Sequence, residues 1–528
     1  MNLIFMRHGE ATDNVREIIS DKEIYWSTLT DEGKKVVLET LENLNLNIDK
    51  IYVSPLPRTI QTASLVCEKF KNVDVSIDNR IREIGNGKYS GKQNNFELDN
   101  VRERQVAGDF FVRFGEYGEN KYDIESRLSD FLKDVYEQNF KNNTIMIVSH
   151  GSITSFMKRI LCIKSAHIKT GKAEIFEDVD FSKLYEHIDK LKKIKKENIA
   201  KRISEIQKTN ISETLKKSII KLCKTEFNNI EFSEDVFTNF INGLNSTNLK
   251  VNYQTKFDNG IIAVCFYNNA CNFLEKWFNH YISVGVKNFV MVDNCSSDGS
   301  SLLVKKFCKK VNVDCWSIDE KYNCFKMCGW KQQILEHYGT NKRYIFVDSD
   351  ELFIYENFEN VNINEYVKNR KNDYFKSILL DVYSKNGIED LDLNNYNFVD
   401  GKGYKMLPNP NFGYRVYGGC RNRIFGIKPS LQKVPIITYH GNEIYINDHF
   451  YYPWEIDRNA STGYFLLHYK FLKGDIEKYK MYAEDGRHWN NSREYKVYIE
   501  KLNENKNLNF YDENFSIKLE DIFKTIKF

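Results

Sequence analysis

Apolar residues in this chain fall into two rhythms. Unbroken short runs at Leu3–Met6, Ile51–Val53 and Ile145–Val148 read as buried strands. Between them, Thr30 to Leu46 and Thr59 to Phe70 carry apolar residues at helical spacing. Strands alternating with helices predict a mostly parallel sheet covered on both faces, a three-layer α/β domain over residues 1–165. From Asn259 the alternation resumes. Ile261–Phe266, Phe289–Val292 and Tyr344–Val347 read as strands, and Asn272–Tyr281 and Ser300–Lys309 as helices. A second α/β domain is expected over 256–528, loopier after Asp390, where aromatics and prolines gather.

The stretch between them has a different pattern. Leu184, Ile188, Leu191, Ile194, Ile203 and Ile206 recur at roughly helical spacing, and Lys183 to Lys224 holds thirteen Lys and Arg against five Asp and Glu. Thr209-Asn210 breaks the pattern, Ser212 is placed to cap a second helix, and Ser233-Glu234-Asp235 to cap a third. Residues 166–255 are therefore expected to form a basic helical connector. Its charged face is ordinarily a solvated face; the looser option is peripheral association with the anionic inner membrane surface.

Length and composition narrow the class. A chain of 528 residues predicts two to four domains, and 41% apolar with 28% charged residues excludes a disordered or fibrous chain. A net charge of +3 points to no polyanionic partner, so no nucleic acid is expected. No apolar run approaches the ~20 residues of a membrane span. The N-terminus ends its apolar run in Arg7-His8-Gly9-Glu10 and does not read as a signal peptide. A cytoplasmic location follows as the expectation. The eleven cysteines lack metal-ligand spacing; Cys324 and Cys328 have no second pair. Reduced, mostly buried thiols are expected.

Three chemically loaded segments directly follow the first three strands: Arg7-His8-Gly9-Glu10, Ser54-Pro55-Leu56-Pro57-Arg58-Thr59 and Ser149-His150-Gly151. In a parallel sheet these positions converge at the carboxyl ends of the strands, where such folds bind ligands. Two arginines and two histidines meeting there would make an anion site, since guanidinium forks match phosphate oxygens and a neutral histidine can act as a nucleophile.

On these residues the chain resembles the histidine phosphatase (phosphoglycerate mutase-like) superfamily. Thr12, Asn14, Gln61-Thr62-Ala63, Arg82-Glu83-Ile84, Gly87, Ser90-Gly91 and Gly118-Glu119 extend the match over about residues 1–165, with Asn120 standing where the family often has Ser. The resemblance implies that His8 attacks phosphorus, that Arg7, Arg58 and His150 bind the phosphoryl oxygens with Asn14 as an added contact, and that Glu83 protonates the leaving alcohol. No metal is implied for this domain. Its substrate would be a small phosphomonoester, a sugar or polyol phosphate. Lacking the long insertions of mutases, the domain is expected to be a phosphatase, with a phosphoglycerate-type mutase fused to a binding-only module as the alternative.

The second half places Asp293-Asn294-Cys295-Ser296-Ser297-Asp298-Gly299 after one strand and Asp348-Ser349-Asp350-Glu351 after another. The first is a turn with acceptors suited to ribose hydroxyls. The second sets two carboxylates at alternate positions, able to share a hard divalent cation that also bridges a nucleotide diphosphate.

Residues 256–528 resemble glycosyltransferases of the family 2 and family 92 kind, with the Rossmann-like GT-A fold. The further segments that carry this are Phe273-Leu274-Glu275-Lys276-Trp277, Leu380-Asp381-Val382-Tyr383-Ser384, Gly418-Gly419-Cys420-Arg421-Asn422-Arg423-Ile424-Phe425, Leu431-Gln432-Lys433-Val434-Pro435, His449 and Leu466-Leu467-His468-Tyr469-Lys470. Asn268-Asn269 departs from the Asn-Glu of many relatives. By resemblance and chemistry together, Asp293 would hold the nucleoside, and Asp348, Asp350 and His468 would hold Mn²⁺ or Mg²⁺. Lys470 would face the diphosphate, and Arg421 and Arg423 phosphate or an acidic acceptor. Glu351, Asp381 and Asp448 are open as acceptor base. Phe450-Tyr451-Tyr452 with Trp454 reads as core before it reads as a sugar platform. The expectation is a bifunctional enzyme of bacterial surface glycan (capsule or lipooligosaccharide) synthesis, pairing phosphomonoester hydrolysis with transfer from a nucleotide sugar to a glycan acceptor. Transfer of a phosphoryl-containing group by the same fold is the other reading.

Overall fold

The computed structural model describes residues 1–528 apart from 22–26, 94–95, 115–117, 140–141, 228–232, 448, 486–488, 506–507 and 528. The chain divides into two compact units, one built on Met1–Lys201, the other on Arg202–Phe227 and Asp235–Phe528.

The first unit holds one five-stranded sheet. Its strands are β1 (Asn2–Arg7), β2 (Lys50–Val53), β3 (Asp74–Ile77), β4 (Thr144–Ser149) and β5 (Ala173–Phe176), in the order β3-β2-β4-β1-β5. The first four are parallel; β5 runs antiparallel to β1. The central strands read as continuous apolar runs because both faces are covered. Leu3, Phe5, Ile145 and Ile147 pack with Leu128 and Phe131 of the helix Lys121–Gln138. On the opposite face, Ile4, Met6, Ile51, Val53, Met146 and Val148 pack with Val37, Leu41 and Val66 of the helices Asp31–Glu42 and Pro57–Lys69. Those helices start where the sequence prepares a start. Thr30 Oγ1 accepts from Gly33 N at 2.9 Å, and Pro57 occupies the first turn of the other, where its missing N–H is no loss.

The parallel register decides where the chemistry goes. Arg7 pairs with Ser149 and Val53 with Val148. The residues that follow β1, β2 and β4 therefore leave the sheet at one edge, side by side.

Residues 166–255 form the helices Ser182–Gln207, Glu213–Thr225 and Glu234–Leu244, flanked by strands at both ends. Ser212 Oγ accepts from Leu215 N at 3.3 Å. β5 completes the first sheet, and β6 (Leu249–Tyr253) pairs antiparallel in the second. The connector thus lends residues to both units.

The second unit is also α/β. Its nine-stranded mixed sheet includes β7 (Ile262–Tyr267), β8 (Asn288–Asp293), β9 (Asn312–Ile318), β10 (Lys342–Phe346), β11 (Glu351–Ile354) and β12 (Tyr374–Asp381), together with the strands Gln432–Tyr439 and Ser461–His468. β10, β7, β8 and β9 lie side by side and parallel. Trp277, Phe278 and Tyr281 of the helix Leu274–Ser283 pack over Phe289 and Met291. The stretch after Asp390 is more ordered than its pattern suggests. Gln432–Tyr439 sits between β12 and β10 although it contains Pro435. The register of β12 shifts between Phe375 and Ser377, opposite Ile436 and Lys433, so Pro435 falls at an irregularity where no ladder donor is needed. Phe450, Tyr451, Tyr452 and Trp454 are buried, which makes them core.

Among the described residues no helix is long and apolar enough to cross a membrane. All eleven cysteines are free thiols, and Cys324 and Cys328 lie one turn apart on the helix Cys324–Tyr338.

Candidate active site

In the first unit, the edge shared by β1, β2 and β4 brings Arg7, His8, Arg58 and His150 together, with Glu83 arriving from the loop after β3. His8 is buried, and its two ring nitrogens are assigned by their partners. Nδ1 lies 2.8 Å from Gly9 O and can only donate there; Nε2 accepts from Arg58 Nε at 3.1 Å. One neutral tautomer satisfies both bonds, with the Nε2 lone pair turned into the site. Burial, then the charge of Arg58, hold His8 well below the ordinary histidine value, so the ring is neutral near pH 7.

Arg58 is the hub. Its Nη2 donates to Ser20 O at 2.8 Å and to His150 Nδ1 at 3.1 Å, and Nη1 lies 3.4 Å from Asp13 Oδ2. Because His150 Nδ1 accepts, Nε2 carries the hydrogen and donates to Ser54 Oγ at 2.8 Å. His150 is fully buried and, for the same causes as His8, neutral. The rings of His8 and His150 stand 5.2 Å apart, edge to face.

Glu83 Oε1 accepts from Ile84 N at 2.9 Å, and Oε2 lies 3.8 Å from His150 Nδ1. Burial raises its pKa, with Arg58 and then the Ile84 N–H opposing. A carboxyl whose proton affinity is raised by burial, beside two neutral imidazoles and two guanidinium groups, can give a proton to a leaving group. Its loop is braced from below: Glu119 accepts from Gly85 N at 2.7 Å and from Arg127 Nε at 2.7 Å. Arg7 Nη1 donates to Ile168 O at 3.2 Å, while Arg7 Nε is buried without a hydrogen-bond partner among the described residues. Asn14 uses its Oδ1 to accept from Ala11 N at 3.0 Å, bracing the short helix Thr12–Val15.

The second unit places its acidic residues at strand ends too. Asp293 ends β8, where Oδ1 accepts from Ser296 N at 2.9 Å and Oδ2 accepts from Ser301 Oγ, closing the turn. Asp348 and Asp350 lie between β10 and β11. Lys433 Nζ meets Asp348 Oδ2 at 2.9 Å and Glu351 Oε2 at 2.8 Å. Burial alone would raise the pKa of Asp348; Lys433, Lys331 and His468 together outweigh it and hold the carboxyl low. Asp350 Oδ2 faces His468 Nε2 across 3.5 Å, and His468 Nδ1 meets Asp381 Oδ1 at 2.7 Å. Arg421 Nε donates to Asp381 Oδ2 at 2.7 Å and its Nη1 to Glu494 Oε1 at 2.8 Å, which Lys470 Nζ reaches at 3.1 Å. Burial opposes charge on His468, but Asp350 and Asp381 prevail and lift its pKa to about 9.

The expected residues are thus distributed unevenly. Asp350, His468 and Lys470 belong to one chain of charges, and Asp348 borders it through Lys433. Arg421 and Arg423 are engaged within the protein: Arg421 is buried on Asp381 and Glu494, and Arg423 grips Asp400 at 2.7 and 3.1 Å and donates to Phe510 O at 2.7 Å. Glu351 and Asp381 are buried in ion pairs; Asp448 lies outside the described residues. His449 Nδ1 donates to Gln432 O at 2.7 Å. Sequence reasoning assigned no role to Lys433, Glu494, Glu119 or Arg127: Lys433 lies 85 positions from Asp348 and Glu494 73 from Arg421, while Glu119 and Arg127, eight apart, reach Gly85 and Arg80 across 34 and 47 positions.

Among the described residues no three His, Cys, Asp or Glu side chains gather as a metal-holding group. The Asp350–His468 pair could hold a divalent cation only by giving up the proton that its carboxylate neighbours keep on His468. The Asp381 carboxylate behind the imidazole is the usual support for a metal-bound histidine.

Comparison with known proteins adds a family. The family model of the histidine phosphatase superfamily (branch 1) matches residues 3–174. A 2,3-bisphosphoglycerate-dependent phosphoglycerate mutase of Thermoplasma acidophilum is 38% identical over 106 residues, 20% of this chain and 52% of that protein. Phosphoserine phosphatase 1 of Hydrogenobacter thermophilus is 31% identical over 154 residues, 28% of this chain and 71% of that protein. The match thus spans about half the length of the mutase. The solved alpha-ribazole phosphatase of Shigella flexneri is 22% identical, with 33% of this chain and 89% of that chain covered at a TM-score of 0.29.

Proposed function

Because this chain belongs to the histidine phosphatase superfamily (branch 1) through residues 3–174, we propose that its first unit hydrolyses a small phosphomonoester, a sugar or polyol phosphate, through a phosphohistidine on His8. The observation that carries this reading is the state of His8, a neutral ring whose Nδ1 is tied to Gly9 O and whose Nε2 points to Arg58. Nε2 attacks phosphorus as the P–O bond to the alcohol breaks, and Glu83 gives the alkoxide its proton. Arg7, Arg58 and His150 hold the equatorial oxygens, which gather charge in the transition state. Water then attacks the phosphohistidine, losing its proton to Glu83, and phosphate leaves.

The test is rapid quenching with a ³²P-labelled sugar phosphate. The expected result is an acid-labile, alkali-stable label on wild type that is lost in His8→Ala. A His8→Ala variant with wild-type turnover would overturn it. Phosphoryl retention on a bisphosphorylated substrate would instead place the domain with the mutases.

We propose for the second unit a metal-dependent glycosyl transfer from a nucleotide sugar on a GT-A-like fold. It is supported by acidic residues at three places on one mixed sheet: Asp293 at the end of β8, Asp348 and Asp350 after β10, and the His468–Asp381 pair at neighbouring strand ends. Asp350 and His468 would hold Mn²⁺ or Mg²⁺, the substrate diphosphate filling further positions. The ion would make the diphosphate a better leaving group. Lys470 faces the same cluster, and Asp293 the nucleoside. Equilibrium dialysis of nucleotide sugars with and without Mn²⁺ tests it; binding indifferent to the ion argues against it. A role in surface glycan assembly belongs to this proposal.

A further inference from the structure

One exposed histidine reaches the phosphate site from outside the set that surrounds His8. His167 lies on the loop between the helix Gly151–Ile160 and β5. Its Nε2 is 3.0 Å from Arg7 Nη1, and its Nδ1 is 3.1 Å from Ser155 Oγ. Ser155 Oγ donates its single hydrogen to Gly151 O at 2.8 Å. It must therefore accept from His167, so Nδ1 carries the proton and Nε2 the lone pair. That lone pair takes one Nη1 hydrogen of Arg7, and Ile168 O takes the other at 3.2 Å. Nη1 is then satisfied, the guanidinium plane is set, and the buried Nε edge is left without a partner among the described residues.

We propose that His167 is a positioning residue for Arg7, which as a neutral imidazole holds Nη1 so that the Nε edge meets the phosphate oxygens. The proposal rests on reading His8, Arg7 and Arg58 as a phosphoryl-transfer site. The packing around the contact supports it independently. A Cβ at position 151 would stand 2.6 Å from His167 Cε1 and 3.1 Å from Arg7 Cζ, so glycine directly after His150 is what lets the ring close on the guanidinium. The clamp depends on charge. A proton on Nε2 would set a donor against a donor and a cation against a cation. The charged groups that face His167 are Arg7 from β1, Lys158 from the helix Gly151–Ile160 and Glu174 from β5. Burial, then Arg7 and Lys158, lower its pKa, and Glu174 opposes them. The clamp is therefore closed at neutral pH and opens on the acid side.

The test compares wild type with His167→Ala and His167→Gln, whose amide oxygen can accept from Nη1 without titrating. Hydrolysis of p-nitrophenyl phosphate and inhibition by inorganic phosphate are followed from about pH 5 to about pH 8. His167→Ala is expected to lose roughly 10- to 100-fold in kcat/KM, with weaker phosphate inhibition and an unchanged melting temperature. His167→Gln is expected to recover most of that loss and to flatten the acid limb of the KM profile. On an Arg7→Ala background, His167→Ala is expected to add nothing. Two results overturn the clamp: a His167→Ala enzyme with wild-type kcat/KM and phosphate inhibition at every pH, or a further full loss when it is added to Arg7→Ala. Either is distinguishable from failure of the site itself, because His8→Ala in the same assay must abolish turnover.

Discussion

Glu83→Gln separates proton donation from every other function of the phosphate site. The amide keeps the oxygen that accepts from Ile84 N at 2.9 Å and the bulk that sits 3.8 Å from His150 Nδ1, so the frame is preserved. Burial disfavours the charged carboxyl, so removing the charge does not weaken the fold and the loss reports chemistry. A positioned general acid contributes about 10²–10⁴ in rate, which is about 2.7–5.5 kcal/mol of transition-state stabilisation at ~1.36 kcal/mol per decade. That full loss is expected for a sugar phosphate, whose alkoxide cannot leave unprotonated. For p-nitrophenyl phosphate the loss should be far smaller, since the phenolate departs without a proton. The pH profile carries the sign. Burial raises the pKa of Glu83, so wild-type kcat/KM on the sugar phosphate falls as pH climbs through that raised pKa. The Gln variant lacks this limb. The assay is steady-state kinetics on both substrates across pH with one preparation of each enzyme. Equal losses on the two substrates, or an unchanged basic limb in the variant, would show that the proton comes from another group.

Three further outcomes follow from the geometry. His8→Ala should abolish phosphatase turnover, since no other group in the site can carry the phosphoryl, while nucleotide-sugar binding by the second unit persists; loss of both in a folded variant would refute their independence. EDTA should abolish nucleotide-sugar binding and leave phosphomonoester hydrolysis intact, with Asp350→Asn mimicking EDTA at the second site only and Mn²⁺ rescuing wild type alone; a phosphatase that stops in EDTA contradicts the assignment. Arg421→Met removes a buried partner from Asp381 and Glu494 and should lower the urea-unfolding free energy of the second unit by about 3–5 kcal/mol; a change below ~1 kcal/mol would mean that the pair carries no weight.

How legible each feature was depended on whether its cause is local. Arg7, Ser54 and Ser149-His150 follow apolar runs that could only be strands, and parallel pairing of Arg7 with Ser149 and Val53 with Val148 does the rest. Arg58 lies a little further on, in the first turn of a helix that starts at Pro57, ahead of the Thr59 start expected from the apolar spacing. Nothing comparable announces His167, a single polar residue on a loop whose partner, Arg7, is 160 positions away. In the second unit, Asp293, Asp348 and Asp350 follow strands and could be singled out. Of the groups that pair with this cluster, His468 can be singled out as well, but no role can be assigned to Lys433 and Glu494. Lys433 comes from a strand disguised by Pro435, and Glu494 from a helix, Trp489–Glu504, in a stretch expected to be loopier. Ion pairs closed by topology leave no periodicity to read, and neither do short edge strands such as β3 and β5.

On the functions proposed for them, the two sites would meet a phosphate anion from opposite starting charges. In the first, the positive charge is stored on Arg7 and Arg58, while burial and those same cations keep His8 and His150 neutral. The nucleophile is therefore ready before substrate arrives. Phosphate need only displace Arg58 Nε from His8 Nε2, exchanging one hydrogen bond for a charge-assisted one while freeing the lone pair. In the second, the carboxylates would repel a diphosphate. Asp348 is neutralised by Lys433 and Asp350 by His468, and Arg421 and Lys470 close the chain on Asp381 and Glu494. On that reading Lys433 and His468, both held by strands of one sheet, would already neutralise part of the charge that repels a diphosphate. Substitutions in this chain of charges should change binding together with stability, whereas Glu83→Gln in the first site should change chemistry alone.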